Sequence, residues 1–194
     1  MSASYKTQID FGGNGKPSFL IEPAHFDDIS NAETWDFDWL SLWNATNFDY
    51  EGIARISWQS KTYGFIRYSI YPDLEEPMVI EIQQLEASPI SRSDSKSRLV
   101  APIGKWLIWY VAQIALTFGK ESEEALIVLS AYEAAFTYYQ EKIGMTFERW
   151  TTIAPGEDGA VFTFNRQQTR HFCLKLEEEF GRPTKVGLTK IISL

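Results

Sequence analysis

Met78-Val79-Ile80-Glu81-Ile82-Gln83-Gln84-Leu85 begins the stretch that decides the fold. Apolar positions alternate and strand formers dominate, which predicts a β-strand running to Ala87. A polar, cationic loop follows with Arg92, Lys96 and Arg98. Pro102-Ile103-Gly104-Lys105 then opens an apolar helix that runs to Phe118. Proline suits that first turn, where its missing N–H has no partner to lose. Leu126-Ile127-Val128-Leu129 reads as a second strand, and the helix after it stops at Ile143-Gly144-Met145. A basic loop feeding a helix N-terminus is an anion site in physical terms. Unpaired N–H groups point outward there and the helix dipole favours negative charge. Gly104 is notable because glycine in a helix costs about 1 kcal/mol relative to alanine. Close approach of a ligand or of a neighbouring strand would account for it.

Outward from this centre the pattern stays regular. Ile53 to Trp58 and Tyr63 to Ile70 alternate and straddle Ser60-Lys61-Thr62, predicting an antiparallel hairpin. Pro72 and Pro77 bracket the next turn. Thr7 to Phe11 and Ser18 to Ile21 read as short strands around Gly12-Gly13-Asn14-Gly15. Asp27 or Asp28 caps a helix expected to begin near Ile29. The segment after it is rich in aromatics, with Trp35, Phe37, Trp39 and Trp43. Thr146 to Ile153 and Ala160 to Asn165 form another hairpin around Pro155-Gly156-Glu157-Asp158-Gly159. Gln167 to Phe180 is drawn as a helix with Phe172, Leu176 and Phe180 on one face, ended by Gly181 and Pro183.

The 194 residues suffice for one substantial core. Hydrophobic content of 44% and charged content of 23% describe an ordinary globular chain. The net charge of −8 is repelled by nucleic acid and suits an amine ligand better than an anion. A single cysteine, Cys173, excludes an internal disulfide and a cysteine-rich zinc site, and reads as a packing residue. His25 and His171 lie far apart and in no ligand spacing, so neither metal binding nor histidine catalysis is expected. Leu99 to Gly119 approaches the roughly 20 apolar residues that span a bilayer. Lys105 and Gln113 inside it favour a buried core helix, and no membrane association is expected. The N-terminus lacks a basic region followed by an apolar run, so a cytoplasmic location is expected.

Four segments, in order, resemble the GNAT superfamily of acyl-CoA-dependent N-acyltransferases. Phe19-Leu20-Ile21-Glu22-Pro23-Ala24 with Asp27-Asp28 looks like the family's first strand and helix start. Leu85-Glu86-Ala87-Ser88-Pro89 looks like its L-x-V-x-P strand ending. Pro102-Ile103-Gly104-Lys105-Trp106-Leu107 looks like its G-I-G-x-x-L helix opening, and Tyr139-Gln140-Glu141-Lys142-Ile143-Gly144-Met145 is similar to its F-Y-E-K-L-G-F ending. The likeness spans about Ser18 to Phe164. There are departures. Of the family's Q/R-x-x-G-x-G/A phosphate loop only the last position, Gly104, is kept. The family's tyrosine aligns with Gln140, and its asparagine after the fifth strand with Glu133.

The resemblance implies an α/β (α+β) fold with a mixed, mostly antiparallel central sheet flanked by helices on both faces. It implies one domain over residues 1–194, with a C-terminal extension from about 166 that closes the fold, covers the cleft or meets a second subunit as a homodimer. The co-substrate would be acetyl-CoA or another acyl-CoA. Its pantetheine would pair with the backbone at Leu85, Glu86 and Ala87. Its diphosphate would meet the N–H groups of Ile103, Gly104 and Lys105, with charge from Arg92, Lys96, Arg98 and Lys105. The acceptor would be a small-molecule or peptide amine, attacking directly, and the Trp35–Trp43 segment would help to wall its site. For proton handling, Glu81 and Glu86 are the carboxylates on the central strand, and a separation of five puts them on opposite faces unless a bulge intervenes. Tyr138 and Tyr139 adjoin the family's tyrosine position. Glu86 and Tyr139 are the candidate catalytic pair. The alternative is a catalytically inactive relative that uses the same fold to bind or sense.

Overall fold

The computed structural model describes residues 3–9, 17–71, 79–91, 102–118 and 124–188. The strands are β1 (Ala3–Gln8), β2 (Ser18–Pro23), β3 (Glu51–Trp58), β4 (Lys61–Ile70), β5 (Ile80–Ala87), β6 (Ala125–Tyr132), β7 (Thr146–Ala154), β8 (Glu157–Asn165) and β9 (Thr184–Leu188). The helices are α1 (Phe26–Ile29), α2 (Trp39–Ala45), α3 (Ile103–Ala115) and α4 (Arg166–Phe180). A π-helical segment, Tyr138–Ile143, follows β6. The strands form one sheet in the order β7-β8-β6-β5-β4-β3-β2-β1-β9. Every neighbouring pair is antiparallel except β5 and β6, which are parallel. A parallel pair needs a crossover, and α3 supplies it. The expected mixed, mostly antiparallel sheet with helices on both faces is therefore present.

α3 is buried nearly all round, with Trp106, Leu107, Ile108, Tyr110, Val111 and Ala112 inaccessible. This is why its sequence lacks a polar face. Its 13 residues rise about 20 Å, short of the roughly 30 Å hydrocarbon core. Among the described residues no helix is long and apolar enough to cross a membrane. α3 packs against the sheet through Ile66, Tyr68, Ile80, Ile82 and Ile127 in one large core. The opposite face of the sheet carries a smaller core of Ala24, Ile29, Ala32, Trp39, Ile53 and Phe65, covered by α1 and α2. Trp35, Phe37 and Trp43 pack against it.

Several boundaries differ from the sequence reading. β1 starts at Ala3 rather than Thr7, because it pairs with β2 from Tyr5↔Ile21 to Gln8↔Ser18. α1 begins at Phe26, where the Asp28 carboxylate accepts from the His25 N–H at 2.8 Å. Arg55 then ties Asp28 and Glu22 together across β2 and β3. The β3–β4 connection is the two-residue turn Gln59-Ser60, not Ser60 to Thr62. Both residues have positive φ (48° and 63°), which a two-residue hairpin following the twist of its strands demands. The turns at Gly12–Gly15 and Pro72–Pro77, and Met78 at the head of the predicted central strand, lie outside the described residues.

The C-terminal region extends the fold. Asn165 and Gln168 cap α4 reciprocally, each side chain accepting from the other's backbone N–H at 2.9 Å. Buried Arg166 donates to the carbonyls of Leu116 (3.2 Å) and Phe118 at the end of α3. A cation there complements the helix dipole and satisfies orphan carbonyls. β9 adds to the outer edge of β1, with Lys6 opposite Thr184.

Candidate active site

The site begins with a parting of two strands. β5 pairs with β4 along its whole length, from Ile80↔Ile70 to Ala87↔Gly64. On its other side it pairs with β6 only across Ile80↔Ile127, Glu81↔Val128 and Ile82↔Leu129. β6 then continues to Tyr132 alongside β8. Beyond Ile82 the two described strands no longer pair with each other, and an extended ligand chain fits where two strands part. The local cause is a bulge. Arg67 opposes Gln84 and Tyr68 opposes Ile82, which leaves Gln83 as the extra residue.

The N-terminus of α3 lies at this opening. Gly64 on β4 allows its approach. A Cβ at Gly64 would sit 2.6 Å from Ile103 Cγ2, 2.9 Å from Leu107 Cδ1 and 3.1 Å from the Glu86 carbonyl oxygen. Only the missing side chain permits that packing. Pro102 caps nothing with its side chain, and the first turn of α3 holds no acidic residue. The first N–H groups of Ile103, Gly104 and Lys105 have no partner within the helix. A Cβ at Gly104 would meet Tyr138 Oη at 3.4 Å and Leu85 Cδ2 at 4.0 Å. These are ordinary contacts, so the protein's own packing does not demand glycine there. Leu85, Gly104 and Tyr138 thus converge from β5, α3 and the π-helical segment.

The bulge also changes the carboxylates. Ile82 and Leu85, three apart, both pack in the large core. Glu81 and Glu86 consequently share the face covered by α1 and α2, not opposite faces. Their situations differ. Glu86 is 6% exposed and accepts from the Asp36 N–H (2.8 Å), the Phe37 N–H (3.2 Å) and the Trp39 indole (2.8 Å). Its carboxylate pins the α1–α2 segment to β5. Glu81 is half-buried and accepts from the Tyr71 hydroxyl at 2.5 Å. That bond, followed by burial, raises the Tyr71 phenol above its ordinary range. Beside them Arg67 pairs with Glu51 at 2.9 Å and donates to Gln84 and Thr46. Gln83 reaches Glu51 at 3.3 Å. Burial works against the Glu51 charge. Hydrogen bonds from the Asn47 N–H, Ser69 and Arg67 outweigh it and hold the carboxyl below its usual value.

The tyrosines divide likewise. Tyr139 packs against Phe162, ring centroids 5.6 Å apart, and joins the large core. Burial, then neighbouring Tyr138, pushes its phenol well above the ordinary range. Tyr138 is 37% exposed, and its hydroxyl lies 3.4 Å from where a Cβ on Gly104 would stand. Lys105 is half-buried in the first turn of α3, whereas Arg92, Lys96 and Arg98 lie outside the described residues. Ala87 ends β5 beside Gly64. Cys173 is buried and free, its thiol pushed up to about 12 by burial. His25, just before α1, and His171, on α4, are exposed. Sequence reasoning missed Gly64 and the Gln83 bulge, which depend on partners across the sheet.

No protein-family model and no curated protein sequence matches the chain. Solved structures do. An acetyltransferase of the GNAT family from Bacillus cereus superposes with a TM-score of 0.50 at 11% identity, covering 76% of this chain and 97% of its own. Arabidopsis thaliana Naa50, in complex with the bisubstrate analogue CoA-Ac-MVNAL, gives 0.55 at 12% identity over 76% and 98% of the two chains. An uncharacterized protein from Bacillus halodurans gives 0.61 at 10% identity and covers 90% of this chain and 97% of its own. The fold is the GNAT fold, in a form whose sequence has diverged far from these structures.

Proposed function

We propose that the chain transfers an acyl group, acetyl in the simplest case, from an acyl-CoA to a primary amine. The observation that carries this reading is the parting of β5 from β6 above the α3 N-terminus, with Gly104 leaving space between them. In this reading the pantetheine arm adds to β5 at Leu85 and Ala87, beyond the last pair with β6. The diphosphate meets the N–H groups of Ile103, Gly104 and Lys105, and Arg98, five residues earlier in sequence than Ile103, adds charge. The Naa50 structure, which holds a CoA–peptide conjugate, supports both co-substrate and acceptor class.

The amine nitrogen attacks the thioester carbonyl, the N–C bond forms and the C–S bond breaks. One proton leaves the nitrogen and one returns to the thiolate. Glu81, on the acceptor-facing side of β5 next to the point of parting, is the better-placed proton acceptor. Tyr138 is the better-placed proton donor. Glu86 positions the α1–α2 wall through its three hydrogen bonds, and Tyr139 packs.

A second reading, coenzyme binding without turnover, is favoured by Gln140 at the position of the family's tyrosine and by a phosphate loop that keeps only Gly104. Release of free thiol from acetyl-CoA in the presence of an amine panel decides between them. Thiol release that depends on the amine supports the enzyme, and saturable coenzyme binding with no thiol release supports the sensor.

A further inference from the structure

Ile66 and Tyr68 on β4 turn into the large core, so Arg67, Ser69 and, just past the strand's end, Tyr71 face the other side. Ser69 lies directly across from Glu81 in the β4–β5 register, which makes Tyr71 the diagonal neighbour of Glu81. From that place the Tyr71 hydroxyl donates to Glu81 Oε2 at 2.5 Å. The bond is the leading cause of the raised Tyr71 phenol, which therefore stays a donor at neutral pH.

This contact sets Glu81 apart from the two other carboxylates beside it. Glu86 accepts from Asp36, Phe37 and Trp39. Glu51 pairs with Arg67 at 2.9 Å and accepts from Ser69 at 3.0 Å and Gln83 at 3.3 Å. The guanidinium, the serine and the glutamine that surround Glu81 are thus engaged by Glu51. Among the described residues Glu81 has no ion pair and no hydrogen bond other than the one from Tyr71. A glutamate side chain loses much of its rotamer freedom once one oxygen is fixed, and the other oxygen is then oriented. We propose that Tyr71 is a positioning residue for the acyl transfer: its hydroxyl holds Glu81 Oε2, so that Oε1 takes the proton lost by the attacking amine. This rests on the acyltransferase reading above.

A double-mutant cycle of Tyr71→Phe and Glu81→Gln in the full chain tests it, read by thiol release from acetyl-CoA with the amine that the parent turns over fastest. Tyr71→Phe, checked for folding by circular dichroism, is expected to lower kcat about tenfold or more and to leave the coenzyme KM within about twofold. In the Glu81→Gln background the same substitution is expected to change kcat by less than about twofold, because a residue that acts through Glu81 has nothing left to orient. A parental kcat in Tyr71→Phe, or a loss that repeats in full in the Glu81→Gln background, would overturn the proposal. A second readout needs no turnover. In protein labelled on its tyrosine rings, the NMR signal lost in Tyr71→Phe reports the Tyr71 phenol, which is expected to titrate at lower pH in Glu81→Gln than in the parent. An unchanged titration would overturn the contact and the role with it. No thiol release by the parent with any amine, while the phenol still shifts in Glu81→Gln, would remove the acyltransferase reading and the catalytic role of Tyr71 but not the contact.

Discussion

A Cβ on Gly104 would lie 3.4 Å from the Tyr138 hydroxyl, which places the start of α3 and the segment after β6 on two sides of one opening. Tyr139, next in sequence, turns instead into the core beside Phe162. Tyr138→Phe is therefore expected to lower kcat by about a hundredfold or more, the usual contribution of a positioned acid. Tyr139→Phe is expected to change stability by about 1 kcal/mol with little effect on kcat. Steady-state kinetics with thermal melts on both variants checks this, and equal kinetic losses would contradict it.

The two carboxylates of β5 should separate in the same way. Glu86→Gln removes an acceptor from a buried cluster of three donors and is expected to cost about 1–3 kcal/mol of stability. Glu81→Gln is expected to leave the melting temperature near that of the parent and to reduce kcat about a hundredfold or more, with coenzyme KM unchanged. Denaturant unfolding paired with thiol-release kinetics reads both effects.

Gly64 makes a prediction about packing. An added methyl meets Ile103 and Leu107 at distances real contacts do not reach, with the Glu86 carbonyl close behind. Gly64→Ala is expected to destabilise by about 1–3 kcal/mol. Because α3 must shift to make room, coenzyme affinity should fall as well. A destabilised variant with parental affinity would show that the α3 N-terminus is not part of the site.

The Glu51–Arg67 pair sets an acid limb. Glu51 titrates below its ordinary 4.5 in the folded chain. Its contribution is thus present above that value and is lost as pH falls through the lower folded value. Glu51→Gln is expected to be less stable than the parent by about 1–3 kcal/mol at pH 7. The difference should shrink steadily below about pH 4.5. Urea unfolding at several pH values measures it, and a pH-independent gap would contradict the assignment.

Much of this architecture was written locally. β5, the β3–β4 and β7–β8 hairpins and the apolar α3 follow from alternation, turn residues and helix signals that each span a few residues. Gly104 was legible because a glycine at a helix start needs a reason. What the sequence hid is non-local. The Gln83 bulge exists only relative to β4, and it alone moves Glu81 and Glu86 onto one face. The donors to Glu86 lie 47 to 50 residues upstream, so nothing nearby marks that carboxylate as structural. The choice between Tyr138 and Tyr139 turns on π-helical winding, which changes the angular phase of side chains from that of an α-helix. Arg166 reaches carbonyls 48 and 50 residues away, so its role at the end of α3 had no local sign.

Calorimetric titration of acetyl-CoA into the parent chain and into Gly104→Glu tests the central claim most directly. The added carboxylate would stand where the diphosphate is placed, at a position where a Cβ meets only ordinary contacts. Saturable binding by the parent, and its loss in a variant that keeps the parental circular dichroism spectrum, is the expected result. No binding by the parent at millimolar coenzyme, or equal affinity in the two proteins, would contradict it.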